Sequence, residues 1–454
     1  MPSLHQILPQ LESLDAGSRL ATARWLQLAV AALAIAGLFA LLLVLSRAPV
    51  TGQLFPWLDF FRTALVVHVN QSVLIWFLAL AGTFWALTRP QGSHRKLPWL
   101  LALFGCLGIA ASAFVGDTQP LMNNYVPVLQ HPLFFITLGL FGAGVLLQLF
   151  SSAREWRRLL NPATSGLLGT LAVTLAIATL LALLALLWSW IALPGSITGH
   201  GYYEYLFWGS GHVLQFVYTQ MMLFAWILLA VASGVRIPAG SGTLRGILWL
   251  GILPLLAVPV VYALYGVESD PLRLAFTRLM QYGNGIAAIP LGLLVSFALL
   301  RSGRSDPETR PLRLALWMSL LLFASGGLIS LFIAGVNTII PAHYHGSTVG
   351  VTLALMGFAY LLLPHLGYPA VSGRLAVAQP LCYGLGQLLH ITGLALSGAL
   401  GVQRKTAGAA QGLEGLGAKL TMGIMALGGL LAVIGGILFV WIMLRAFLRR
   451  RHPA

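Results

Sequence analysis

Charge is what this sequence has least of. Of 454 residues, 8% are Asp, Glu, Lys or Arg, against roughly a quarter in soluble domains. A soluble protein is thereby excluded. The 11 acids are the scarcest class, and few of them fall inside an apolar run. Cysteine is nearly absent too. Cys106 and Cys382 are the only two, both lie in apolar runs, and no CxxC occurs. That excludes a thiol redox motif and a disulfide framework. The first 24 residues are polar and lack the layout of a cleavable leader, so they are expected to form a cytoplasmic tail.

What the chain has is apolar length. Hydrophobic residues make up 58% of it, and many runs exceed the ~20 residues that cross a bilayer. The expected fold is all-α, a polytopic membrane bundle of about twelve transmembrane helices. The runs fall at roughly 25–46, 60–88, 97–116, 131–151, 164–192, 207–233, 244–265, 274–300, 311–336, 341–364, 376–400 and 418–446. One transmembrane domain, 25–446, is therefore flanked by the tail 1–24 and a short basic tail 447–454. No internal repeat is visible beyond the spans.

The connections alternate in charge. Arg89, Arg95 and Lys96 follow the second run, and Arg154, Arg157 and Arg158 the fourth. Arg236 and Arg245 follow the sixth, Arg301, Arg304, Arg310 and Arg313 the eighth, and Arg374 the tenth. The loops 117–130, 193–206 and 337–340 hold no Lys or Arg. The positive-inside rule then puts both termini in the cytoplasm, with every even-numbered span entering from outside. The net charge of +15 belongs to this topology and to contact with a bilayer, not to nucleic acid. An integral protein of a bacterial inner membrane is expected.

The stretch Asn337 to Gly346 organises the rest. It holds His343 and His345 near the outer start of span ten. Two helical residues turn about 200°, so the two imidazoles point to nearly opposite flanks of one helix. His68, about two turns into span two, and His212, in the outer third of span six, fall at a similar depth. Histidine is costly in lipid unless paired or ligated, and imidazole suits haem iron and copper. The loop before span twelve carries Arg404 and Lys405 on the otherwise uncharged outer side. Two cations there would cap haem propionates by charge-assisted hydrogen bonds.

These residues carry a resemblance. His68 on span two, Gly211-His212 on span six, Ala342-His-Tyr-His345 with Met356-Gly357 and Tyr360 to Pro364 on span ten, and Arg404-Lys405 resemble subunit I of the haem-copper oxidase superfamily. That superfamily includes cytochrome c oxidases and nitric oxide reductases. The resemblance covers nearly the whole chain. It implies two haems. His68 and His345 would be the axial ligands of a low-spin haem, and His343 the proximal ligand of a high-spin haem. The open face of the second haem would bind O2 or NO, with His212 as one ligand of a facing copper. The implied activity is O2 reduction to water, as in a cytochrome c oxidase. NO reduction to N2O is the alternative, or a copper-less haem protein that binds gas or transfers electrons without turnover. No CxxCH and no outer copper domain occur, so a second subunit with an outer domain is implied, fed by a cytochrome c or small copper protein.

The chain also departs from that family. Copper would need adjacent histidines on span seven, and there is none there; the nearest positions are Ala263 and Leu264. Copper at His212 is expected only if Tyr262, Tyr265, Glu268, Met280 or Gln281 completes its ligands. Span two has no acid in its inner half and position 215 is Gln, so protons are expected to enter from outside rather than be pumped. His390 on span eleven reads as a hydrogen-bonded core histidine. His131 and His200 read as outer-loop groups facing water or a partner, and His365 as an inner-side residue. Glu204 is expected just outside span six, Tyr344 against a haem, and the 13 tryptophans mostly at the membrane interface. The 50 glycines are expected mainly to let helices approach closely.

Overall fold

The structure is a computed structural model that describes residues 11–47, 60–88, 96–116, 118–153, 159, 161–403 and 415–449. All twelve expected spans are helical. Span one is α1 (Ala16–Arg47). Span two is α2 (Phe60–Val69), a π-helical stretch Asn70–Ile75, and α3 (Trp76–Leu87). Then come α4 (Leu97–Ala111), a short hairpin of β1 (Pro120–Leu121) on β2 (Val128–Leu129), α5 (Pro132–Ser151), α6 (Pro162–Ala192) and α7 (Gly199–Ala232). Spans seven and eight are each broken: α8 (Ser241–Leu250), a 3-10 turn and α9 (Ala257–Leu264), then α10 (Asp270–Gly283) and α11 (Gly285–Arg301). The last four are α12 (Arg310–Ser330), α13 (Ile339–His365), α14 (Arg374–Ala399) and α15 (Leu416–Leu448).

Among the described residues, eleven spans are long and apolar enough to cross a membrane. The other, α14, is long enough at 26 residues but carries Gln379, Gln387 and His390 along its length. Two boundaries differ from expectation for physical reasons. Span six begins at Gly199, not 207, because the polar-aromatic run Tyr202-Tyr203-Glu204-Tyr205 is helical. Glu204 therefore belongs to α7 and is buried. Span seven breaks where Pro254 enters a 3-10 turn, since proline has no N–H to donate. His131 is not a free loop group: its Nδ1 accepts the Leu133 amide at 3.2 Å and caps α5. His200 is exposed, and half-buried His365 closes α13.

The chain divides into two compact units, Met1–Phe224 with Ala239–Leu291, and Ala225–Pro238 with Gly292–Ala454. In the first, span two is the central element. Phe77 stacks on Tyr218 at 4.3 Å, Phe84 meets Phe224 edge-on at 5.7 Å, and the Trp85 Nε1–H donates to the Ala172 carbonyl at 3.2 Å. Trp25 covers the face of Gly82, where a side chain would clash. In the second unit, α13 is buried almost continuously from Val349 to Leu363. The Trp226 Nε1–H donates to Ser319 Oγ at 2.8 Å, and Ser319 donates on to the Gly350 carbonyl at 2.6 Å. Trp25, Trp76, Trp85 and Trp226 are thus core residues rather than interface anchors.

Glycine sets how closely helices meet in the second unit. Gly326 of α12 touches Gly346 of α13 so closely that a Cβ on Gly346 would lie 2.7 Å from the Gly326 Cα. Gly386 and Gly393 of α14 face α15, and Gly428 and Gly435 of α15 face back, each against backbone atoms. Seven-residue spacing keeps each pair on one stripe, since seven residues are nearly two turns. Lipid gives helices no hydrophobic reason to associate, so close backbone approach is what holds such a pair.

Candidate metal-ligand histidines

His68 lies in the last turn of α2, two residues before the π-helical stretch begins. The wider turn is where side chains leave the helix for other partners. The Asn70 amide donates to the carbonyls of Val66 at 2.9 Å and Pro127 at 2.7 Å. Gln71 donates to the Cys106 carbonyl at 2.8 Å, and the Cys106 thiol returns a bond to Gln71 at 3.2 Å. Ser72 donates to the His68 carbonyl at 2.7 Å. The ring of His68 is half-buried, with Nδ1 2.9 Å from the Ala36 carbonyl of span one. A carbonyl only accepts, so Nδ1 carries the proton and Nε2 the lone pair. That is the tautomer and the support a ligating histidine uses.

His343 repeats the arrangement on α13. Its Nδ1 is 2.8 Å from the Gly326 carbonyl, reached because the Gly326–Gly346 contact brings α12 against α13. Two residues on, His345 faces the other neighbour. Its ring centroid is 5.1 Å from that of His390 on α14, edge to face. The two imidazoles of span ten are thus directed at different helices, α12 and α14, as the 200° step requires. Tyr344 is 47% exposed, with its ring 5.0 Å from that of His345. His390 is half-buried, not a core residue, and its Nδ1 is held 2.9 Å from the Met425 carbonyl. Among the described residues no hydrogen bond reaches Nε2 of His68, His343 or His390. Arg404 and Lys405 lie outside the described residues.

His212 differs. It is buried on α7 with Nδ1 2.7 Å from the Trp208 carbonyl, and its Nε2 is 2.8 Å from the Tyr125 hydroxyl. Both ring nitrogens are engaged. Tyr125 comes from the segment between spans three and four. Its ring sits 4.8 Å from His212 and 5.7 Å from Trp208, over Gly211, where any Cβ would collide with it. Burial and the nearby Glu204 carboxylate hold the Tyr125 phenol well above the ordinary range. Nothing in the sequence periodicity pointed to Tyr125, because hairpin residues follow no helical repeat.

Among the described residues, none of those expected to help at His212 hydrogen-bonds to it. The Tyr262 hydroxyl pairs with Ser189 at 2.8 Å and donates to the Ala185 carbonyl at 3.0 Å. Ala263, Leu264, Tyr265, Glu268 and Gln281 are exposed, and Met280 is half-buried. Among the described residues no three His, Cys, Asp or Glu side chains group as metal ligands.

Comparison with known proteins gives four matches. Residues 21–438 match the family model described as cytochrome c and quinol oxidase polypeptide I. An uncharacterized protein of Rickettsia prowazekii (strain Madrid E) is 30% identical, over 92% of this chain and 94% of that protein. An uncharacterized protein of Aquifex aeolicus (strain VF5) is 29% identical, over 77% of this chain and 86% of its own. Among solved structures, a heme-copper terminal oxidase studied by cryo-electron microscopy as a dimer shares the fold. It superposes with a TM-score of 0.73 at 16% identity, over 97% of this chain and 86% of that one.

Proposed function

The chain belongs to the family of cytochrome c and quinol oxidase polypeptide I, and we propose that it is the haem-bearing subunit of a respiratory complex that reduces O2 to water. Membership makes it an integral membrane oxidoreductase of a haem-using family. In the proposed assignment His68 and His345 hold a low-spin haem and His343 a high-spin one, with Arg404 and Lys405 on the propionates. Bound haem supplies the electron path and an open iron position for a diatomic gas. The observation that carries the reading is the shared posture of His68 and His343. Each has Nδ1 on a backbone carbonyl and, among the described residues, Nε2 left without a hydrogen bond, so the donor set fits haem iron.

The chain's own residues orient these groups. The Ala36 and Gly326 carbonyls fix the tautomer and ring direction of His68 and His343. Ser72 bonds back to the His68 carbonyl within the span, and Asn70 ties the wide turn to the Pro127 carbonyl. Copper is a different matter. His212 has both nitrogens engaged, and no second ligand among the described residues supports it, so the donor set does not fit and no step is assigned to copper.

A second reading, NO reduction to N2O, is favoured by that one observation, since it removes the facing metal on which the usual O2 chemistry of the family depends. Both readings place the termini in the cytoplasm of a bacterial cell. Both require a partner subunit with an outer domain, and a cytochrome c or small copper protein as donor. The test is a haem count on the intact purified complex, with O2 uptake and N2O release measured in parallel. Two haems with O2 uptake support the first reading. Two haems with N2O release and no O2 uptake move the assignment to the second. A chain without haem overturns both.

A further inference from the structure

We propose that Tyr125 takes the position on His212 that a metal ion would take, so that the chain carries a hydrogen-bonded tyrosine–histidine pair where its family carries copper. The inference uses the functional reading above only to say what the pair replaces.

The direction of the bond follows from the two partners. The Trp208 carbonyl accepts from Nδ1, so the neutral ring offers Nε2 as an acceptor. The Tyr125 hydroxyl therefore donates its proton to Nε2. A metal would need that same lone pair. No metal can enter unless the phenol leaves, and the surroundings hold it in place.

The segment that carries Tyr125 is anchored on both sides. Upstream, the Asn123 carboxamide accepts the Tyr125 amide at 2.9 Å and the Val126 amide at 2.8 Å, which closes a tight local turn. The Glu204 carboxylate of α7 accepts the Asn124 amide at 3.1 Å and also binds the Asn124 side chain. Downstream, Asn70 of span two holds the Pro127 carbonyl, and the β1–β2 hairpin closes the base. Trp208 forms one wall. Its Nε1–H donates to the Arg273 carbonyl at 3.1 Å, and the Arg273 guanidinium covers it at 4.7 Å. Gly211 provides the floor, since only glycine leaves room for the phenol ring. Swinging Tyr125 out breaks the Nε2 bond and uncovers a buried imidazole together.

The remaining neighbours add no ligand. Phe276 meets the His212 ring at 6.0 Å, and Tyr262 packs on Phe276 at 5.3 Å with its hydroxyl turned to span five. Among the described residues the carboxylate that reaches this segment, Glu204, is spent on the Asn124 backbone and side chain. Tyr125 is a positioning residue in this account. It fixes His212 in one tautomer and fills the space with a neutral donor.

The test uses the intact complex in four forms: unmodified, Tyr125→Phe, His212→Ala and the double variant. Copper per chain is measured by elemental analysis, and thermal unfolding by a tryptophan probe. The expected copper content is the same with and without His212, whatever a partner subunit carries. The expected unfolding shifts are non-additive, the double variant being no less stable than the worse single one, because each single change already removes the same bond. One copper per chain that disappears in His212→Ala overturns the proposal, as do additive shifts. If His212→Ala fails to fold, the near-isosteric Tyr125→Phe keeps the question open to measurement. The proposal then expects a lower unfolding temperature, and an unchanged one overturns it. Neither readout needs haem, so a haem-free chain would sink the functional reading while leaving this one tested.

Discussion

The imidazoles of His345 and His390 stand edge to face, their ring centroids 5.1 Å apart, on the neighbouring helices α13 and α14. His390 is pinned through Nδ1 to Met425 on α15. A ring held that firmly beside a proposed ligand is placed to shape the ligand's environment. His390→Phe keeps a ring and removes the nitrogens. The expected result is an unchanged haem count with shifted low-spin electron paramagnetic resonance values. His345→Ala is expected to abolish the low-spin signal. Identical spectra for unmodified and His390→Phe protein would contradict the first expectation.

Gly211→Ala tests the packing around Tyr125 without touching either partner of its hydrogen bond. A methyl group at 211 would enter the phenol ring. Overpacking of this kind costs about 1–3 kcal/mol. The expected outcome is a lower unfolding temperature and faster proteolysis in the segment 118–131, measured by limited digestion. An unaltered digestion pattern would mean that the segment does not depend on this contact.

Ser319→Ala removes the bridge between Trp226 and the Gly350 carbonyl. It leaves the Trp226 Nε1–H buried with no acceptor. An orphaned buried donor costs about 1–3 kcal/mol. The second unit should unfold at a lower temperature, with Ser319→Thr recovering part of the loss. Thermal denaturation of the three proteins decides it.

Gly428→Leu places a branched side chain against the backbone of His390 and the Gly386 carbonyl. The α14–α15 pair cannot close around it. The expected loss exceeds that of Gly429→Leu, whose nearest neighbour is the His390 ring at 3.3 Å. Expression level and unfolding temperature of the two variants provide the comparison.

Asp15 caps α1, accepting the amides of Gly17 at 2.8 Å and Ser18 at 3.1 Å and the Ser18 hydroxyl at 2.7 Å. The Ser18 hydroxyl leads the causes that hold its carboxyl below the ordinary value. A depressed folded value means the cap is fully stabilising above about pH 4, the unfolded value, and is lost as pH falls through the folded one. Asp15 is half-buried and within reach of solvent screening, so the effect is small. Asp15→Asn should flatten the acid side of the stability profile, which a pH series of melting curves would reveal.

Much of this was legible because bilayer helices announce themselves by length. The twelve apolar runs became twelve helical spans, and the two-residue step between His343 and His345 turned into two different neighbouring helices. Boundaries were less legible where polar aromatics continue a helix, as at Tyr202 to Tyr205. The sequence marks His212 as a candidate ligand equally well whether its Nε2 meets a metal or a phenol. The difference lies in Tyr125, 87 residues away, on a segment whose position depends on Asn70, Glu204 and the absence of a side chain at Gly211. None of those has a periodic signature.

The wide turn Asn70–Ile75 has a consequence for how span two can change. A π turn accommodates one residue more than the α-helix around it. Removing one residue between 70 and 75 would close the span as a regular helix and leave the segments on either side in nearly their present rotation, because the wide turn already absorbs the extra residue. His68 would keep the Ala36 carbonyl, and Trp76, Phe77 and Phe84 their places. What would be lost is the display of Asn70 and Gln71 towards Pro127 and Cys106, so a single deletion, harmless to hydropathy, is enough to release the 118–131 segment from span two.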